Sequence, residues 1–333
     1  GQSIYRPLDE LSISPEGLSP RLIKNGYDSY SMLNGRVYAL PLDPSVQIFL
    51  YRTDLFHDAK LCRAYYERFH ENLVVPTTYE QYLHAAEFFT RSCNPDSPTE
   101  YGTTMTCGSA SVAASDFLPF YLSRIDRFGS TPETLRLDSP EMQAAMRQYH
   151  ALEKFSCKQN WWGDSIQKFV EGKTAMTVIY SNYAAELINS GNSVVVGRVG
   201  AAILPGCKPL LGGGIVGISR YSQKAEACKQ FFHWYYSADV ASLLVRLGGT
   251  SPIVDAYEDF QNYSIFPWMN TSKKSFGLGQ RGVINQTPER FSIPKYEFAV
   301  RTAVRSVVQD LMTPEDASRM AQALYDAADP VCR

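Results

Sequence analysis

The chain has 333 residues, 44% hydrophobic and 20% charged, which is enough for two domains and a large core and unlike the composition of a disordered chain. A formal net charge of -2 without any basic run gives no electrostatic footprint for nucleic acid or for an anionic membrane surface. No stretch approaches the ~18 to 20 uninterrupted apolar residues of a membrane helix, and the first residues lack the charged-then-apolar pattern of a signal peptide.

In chain order, Val37 to Pro41 and Val46 to Tyr51 read as buried strands separated by the polar turn Leu42-Asp43-Pro44-Ser45. Thr77-Thr78-Tyr79-Glu80 opens a helix with Thr77 and Glu80 at capping-box spacing, and Tyr79, Tyr82, Leu83, Ala86 and Phe89 form its apolar stripe. Residues 91–115 read as a loop leading into a compact strand over 101–106. Phe117 to Leu122 starts another element, in which Tyr121 is a minor candidate for reaching a cleft. The seven cysteines include no Cys-x-x-Cys and no Cys/His cluster at zinc spacing, which argues against a metal site. Cys93 and Cys107 flank the Pro/Ser/Thr-rich loop; a disulfide there and two idle, small apolar thiols are both open readings. Ser139-Pro140 begins a helix with the stripe Met142, Ala145, Met146, Tyr149 and Leu152.

The stretch from Asn160 to Leu187 concentrates the chemistry. Trp161 and Trp162 are adjacent and cannot both face one core, so at least one meets solvent or ligand. Asp164 is placed to cap a short helix with an Ile166, Phe169, Val170 face that stops at Gly172, and Thr174 to Ile179 is a strand. The strand delivers Tyr180, Asn182 and Tyr183 to its carboxyl end and to the start of a helix over 182–190, where open α/β sheets bind ligands. Aromatic faces stack on the C–H faces of sugar rings while amides and carboxylates take their hydroxyls. The cluster of Trp161, Trp162, Tyr180, Asn182 and Tyr183 therefore suits a carbohydrate, with plain surface packing as the competing reading.

Further on, Val194 to Val196 and Val199 to Leu204 read as strands. Three glycines at 212–214 look like a phosphate cradle, but no Lys-Ser/Thr follows and the dinucleotide spacing is missing, so the nucleotide reading is rejected. Helices are expected over 225–235 and 237–247, the latter stopped by Gly248-Gly249, then from Pro294 to Met312, and from Thr313-Pro314 to Ala328. The stretch between Tyr257 and Pro294 gives no clear pattern. There is no Gly-x-Ser-x-Gly elbow and no His-Glu-x-x-His, the five histidines are scattered, and paired carboxylates for glycoside hydrolysis have no specific support. No enzyme and no cofactor are expected.

Four stretches in order resemble the family 1 extracellular solute-binding proteins of ABC importers. They are Gly35-Arg36-Val37-Tyr38-Ala39-Leu40-Pro41 through Tyr51-Arg52-Thr53-Asp54-Leu55-Phe56, Val75-Pro76-Thr77-Thr78-Tyr79-Glu80, Phe169 with Glu171-Gly172-Lys173-Thr174-Ala175-Met176, and Phe298 to Val304. The resemblance implies an α/β, two-lobed periplasmic-binding-protein-like fold with a hinge and an interlobe cleft. It divides the chain into an amino-terminal lobe of residues 1–41 and 207–250 and a carboxy-terminal lobe of 42–206 and 251–333. It also implies cleft positions for Asp43 and Ser45, for which turn chemistry is the alternative. Gly213 and Gly214 would let bare backbone approach a ligand, and Glu297 stands where maltose-binding members carry a cleft aromatic.

Tyr5-Arg6-Pro7-Leu8-Asp9 resembles a connection that lies partway through the family's first lobe. The first lobe is therefore expected to be incomplete in this chain, with exposed sheet edges that associate or rearrange. The expected function is the substrate-binding component of an ABC transporter, periplasmic or extracellular and peripheral to the membrane, with an upstream lipidated Cys as one anchoring route. Its expected partners are a carbohydrate ligand and the permease subunits, without nucleic acid. The competing function is the ligand-sensing domain of a signalling or transcriptional regulator built on the same fold.

Overall fold

A computed structural model describes residues 4–23, 31–33, 35–125, 136–189, 191, 193–280 and 293–327. Among these the strands are β1 (Met32–Leu33), β2 (Arg36–Val37), β3 (Ala39–Pro41), β4 (Ser45–Arg52), β5 (Thr103–Met105), β6 (Ser156–Lys158), β7 (Met176–Tyr180), β8 (Val199–Ala202), β9 (Leu211–Gly212) and β10 (Ile215–Gly217).

Strand β4 organises the molecule because it is buried on both faces. Seven of its eight residues are buried, as expected for a strand covered on both sides. The two-residue period sends Val46, Ile48 and Leu50 into one core and Phe49 into another. The Phe49 core is closed by the helices Tyr79–Phe88, Ala110–Leu122, Pro140–Glu153, Ile293–Val308 and Pro314–Asp326. The opposite core is closed by Trp162–Val170, Ala225–Tyr235, Ala238–Arg246 and Met269–Leu278. Antiparallel β7 and β8 flank β4, and β9 pairs with its first residues. Strands β5 and β6 are parallel, and a bridge from Tyr101 to Thr174 ties the residues before β5 to those before β7.

The β4 sheet connects to a separate β3–β10 ladder through two adjacent crossings. Residues 42–44 lead from β3 to β4, and 213–214 lead from β9 to β10. The Leu42 N–H donates to Gly214 O at 2.9 Å, and the Gly214 N–H donates to the Asp43 carboxylate. A Cβ on Gly213 would lie 2.2 Å from Asp43 O, and its φ is +96°, so the close approach of the two crossings requires glycine. At the amino-terminal end, Ile23 N–H donates to Pro252 O at 2.8 Å, and Arg21 pairs with Asp255 and Glu258.

Local signals set most elements, and the departures have local causes. Ser139 caps the helix Pro140–Glu153 through Met142 N–H, and the five expected stripe residues are all buried. The capping box at the start of Tyr79–Phe88 uses Thr78 and Gln81, one residue later than Thr77 and Glu80, with Gln81 Oε1 also accepting from Thr77 N–H. The helix at the tryptophans begins at Trp162 with Trp161 as its N-cap, so Asp164 lies in the first turn and is not the cap. The helix expected over 182–190 is a 3-10 turn, Ser181–Tyr183, followed by Glu186–Asn189.

Residues 110–115, expected as loop, are helical and join 117–122 in one helix, where Ala110, Ala113 and Ala114 favour the conformation without a strong apolar period. Val194 to Val196 is not a strand: it has no partner strand, and Val194 and Val196 face solvent around a buried Val195. The unread stretch after Tyr257 holds the helices Phe260–Ile265, capped by Asp259, and Met269–Leu278. Cys93 and Cys107 are free thiols, the latter buried, and Tyr121 is a core residue. Ala328 and Cys332 lie outside the described residues.

Candidate binding cleft

A cleft of about 480 Å³ opens where β4 begins and β7 ends. Ser45 contributes the first residue of β4, Tyr180 the last of β7, and Asn182 and Tyr183 the 3-10 turn that follows. Trp161 and Trp162 come from the start of the next-door helix, Gly213 from the second crossing, and Glu297 from the second turn of Ile293–Val308. Asp43 and Gly214 stand beside the cleft rather than in its lining, bonded to each other across the crossings.

The tryptophans diverge because their backbones do. Trp161 is extended, at φ -149° and ψ 159°, while Trp162 is the first helical residue. Trp162 is 3% exposed, with the Tyr180 ring edge-on at 5.0 Å. Trp161 is 47% exposed, yet its indole Nε1–H donates to the Tyr183 hydroxyl at 2.6 Å. Gly212 allows Tyr180 to lie across the strand beside it, since a Cβ at 212 would sit 2.6 Å from the phenol ring. Replacing Tyr183 by Phe removes one exposed hydrogen bond. Tyr183→Phe should therefore leave stability within about 1 kcal/mol while loosening Trp161, which fluorescence anisotropy of that indole would read as faster local motion. An unchanged anisotropy would mean that packing alone fixes the ring.

The remaining wall consists of Val112, Ser115 and Leu118, together with Leu210, Leu211 and Gly212, of which the sequence reading had considered only Gly212, in the rejected glycine cradle. The i, i+3, i+6 spacing of the first three is the available signal, one face of a helix. How that wall is held depends on Pro119. Proline lacks the N–H that would bond to the carbonyl four residues earlier, which belongs to Ser115. The buried Gln47 side chain supplies the missing donor, its Nε2 lying 2.9 Å from Ser115 O, while its Oε1 accepts from Leu210 N–H at 3.0 Å. One carboxamide on β4 thus ties both segments of the wall together.

Next to Ser115 in the same helix, Asp116 is half-buried. Burial pushes its carboxyl up to about 6, against the opposing effect of donors from Tyr149 Oη at 2.5 Å and Thr106 N–H at 3.0 Å. The described cleft lining contains one carboxylate, Glu297, and no basic side chain. Among the described residues, no group of three or more His, Cys, Asp or Glu side chains is placed to hold a metal, and no helix is long and apolar enough to cross a membrane.

A sheet joined to a second ladder by paired crossings, with an aromatic cleft beside them, defines a ligand-binding protein of the two-lobed periplasmic-binding type. Residues 5–268 match the model of the bacterial extracellular solute-binding protein family. The chain belongs to that family.

Solved structures agree on the fold. A solute-binding protein of an ABC transporter from Agrobacterium radiobacter K84, in complex with ribitol, is 22% identical, with 96% of this chain and 79% of that one covered and a TM-score of 0.77. The maltose-bound MalE3 of T. maritima is 19% identical over 96% of this chain and 80% of its own, with a TM-score of 0.73. An ABC transporter solute-binding protein from Agrobacterium vitis S4 with bound D-mannitol is 18% identical over 97% and 79%, with a TM-score of 0.68.

Proposed function

We propose that this chain is the substrate-binding component of an ABC importer, that its cleft takes a sugar, oligosaccharide or polyol, and that hinge closure presents the bound ligand to a membrane permease. The observation that carries the reading is the lining. Four aromatic rings, from Trp161, Trp162, Tyr180 and Tyr183, surround a 480 Å³ space together with Ser45, Ser115 and Asn182. Rings take the apolar faces of a sugar while hydroxyls and an amide take its edges, and the volume lies within the usual range for small-ligand sites. The ligands of the similar structures, ribitol, maltose and D-mannitol, support the same class. The family's extracellular character supports a place outside the cytoplasmic membrane, periplasmic or extracellular, with the permease as partner. Function then requires neither a covalent step nor a cofactor.

Thermal melting against ribitol, D-mannitol and maltose, with amino acids and nucleotides as controls, tests the proposal. A sugar at ~1,000 times its dissociation constant adds about 4 kcal/mol, a shift of several degrees for a chain of this length. A shift produced by an amino acid or a nucleotide and by none of the sugars would falsify the sugar reading.

A further inference from the structure

We propose that the cleft selects a positively charged ligand, a polyol or sugar bearing an ammonium group, over its neutral counterpart, and that Glu297 sets this preference; this rests on the sugar-binding reading above. The charge on the cleft is of one sign. Among the described lining residues the one charged side chain is Glu297, and Asp43 adds a second carboxylate beside the cleft. Asp43 is exposed, and among the described residues it takes one hydrogen bond, from Gly214 N–H, and no ion pair. Glu297 lies between Tyr296 and Val300 on the helix Ile293–Val308. Because those two enter the Phe49 core, Glu297 stands at the edge of the buried stripe, half-buried and in the cleft wall. The basic residues nearest to it in sequence on that helix are used elsewhere: Lys295 donates to Ala327 O, and Arg301 lies over the Phe298 ring.

A carboxylate carries about four lone-pair sites, so Glu297 can accept from a ligand alongside its interactions within the protein. An ammonium group brings three donors and no acceptor, and it matches a carboxylate in charge as well as in hydrogen bonding. The rings of Trp161, Trp162, Tyr180 and Tyr183 act in the same direction, since the face of an aromatic ring attracts a cation, that of Trp most strongly. Trp161 spends its single donor on Tyr183, which leaves it none for a ligand hydroxyl. A neutral polyol gains from ring contact and from hydroxyl bonds but nothing from the charge, and an anion is repelled by both carboxylates. The cleft therefore ranks three classes of ligand, cationic above neutral above anionic.

Calorimetric titration near neutral pH separates charge from shape. The ligands are D-mannitol with 1-amino-1-deoxy-D-mannitol and ribitol with 1-amino-1-deoxyribitol, pairs that differ by one hydroxyl replaced by ammonium, together with maltose. The amine of at least one pair is expected to bind about tenfold more tightly than its alcohol at ~20 mM salt, and the ratio to shrink at ~300 mM as screening weakens the pairing. Glu297→Gln keeps the shape and removes the charge, so it should bring the ratio to within about twofold. Equal affinities within both pairs, or tighter alcohols, overturn charge selection while the sugar reading stands. Binding of maltose alone does the same, because the cleft then accepts a neutral sugar and refuses the amines. A wild-type preference that Glu297→Gln retains overturns the role of Glu297. A cleft that takes none of the five compounds overturns both readings.

Discussion

Trp162→Ala should lower the melting temperature by roughly 4–7 °C, whereas Trp161→Ala should leave it within about 1 °C and weaken sugar binding roughly 30-fold. The two residues are adjacent in sequence and line the same cleft, but they stand on opposite sides of a helix start. Trp162 is 3% exposed and closes against Tyr180 on the β4 sheet, so its truncation opens a cavity in packed surroundings. Truncations of this kind cost about 3–5 kcal/mol. Trp161 is 47% exposed and anchored by one hydrogen bond to Tyr183, so the empty protein loses little without it. A ligand that stacks on it would lose the contact of a large, rigid ring, about 2 kcal/mol for a Trp at the centre of a binding surface, which corresponds to the 30-fold change. Melting curves of both variants, and calorimetric titration with whichever sugar shifts the wild type, separate the two roles. If Trp161→Ala melts as low as Trp162→Ala, the exposed indole is a packing element and the aromatic platform is lost as an argument for carbohydrate.

The parts of this molecule legible in its sequence are those fixed within a few residues. Ser139-Pro140 with its stripe gave the helix Pro140–Glu153 its boundary, because cap, proline and period all act within one turn or two. The aromatic side of the cleft was legible for the same reason. Trp161, Trp162, Tyr180, Asn182 and Tyr183 fall within 23 consecutive residues on a helix–strand–turn unit, and all line the cleft. Ser45, Gly213 and Glu297, which also line it, came from resemblance rather than from local pattern. The remaining wall was not legible, since what makes Ser115 part of a binding surface is a bond to Gln47, 68 residues away, itself bonded to Leu210, 163 residues further on. Pro119, which reads locally as a break, is tolerated only because that distant carboxamide takes over the carbonyl it leaves unpaired. Asp43 shows the converse: its Asp-Pro turn and a carboxylate near the cleft supported two readings, and the crossing that gives it Gly214 as a partner is a tertiary fact.

Asp116→Asn should remove a stability change of about 3 kcal/mol that the wild type undergoes between roughly pH 4 and pH 6. The carboxyl rises from 3.8 to about 6 in the folded protein because burial disfavours its charge. Tyr149 and Thr106 N–H donate to it, and Tyr79, Tyr82 and Cys107 feel its charge without neutralising it. The folded state therefore holds a proton across this interval that the unfolded chain has released. Where the folded state binds more protons, stability falls as pH rises, so the contribution is most favourable below the unfolded value and is lost by the time pH passes the folded one. Other carboxyls pull the opposite way: Arg36 beside Asp9, His84 beside Glu71 and Lys273 beside Glu258 hold these groups below their ordinary range, and they add stability as pH rises. The total curve thus mixes both signs, and the informative quantity is the difference between wild type and Asp116→Asn, measured by denaturant unfolding at half-unit steps from pH 4 to 7. A difference that drifts against the wild type by about 3 kcal/mol as pH rises, then levels above pH 6, places the titration at Asp116. Parallel curves would mean that water or relaxation solvates the carboxylate in the fold, and that the wall behind Ser115 is wetter than its packing indicates.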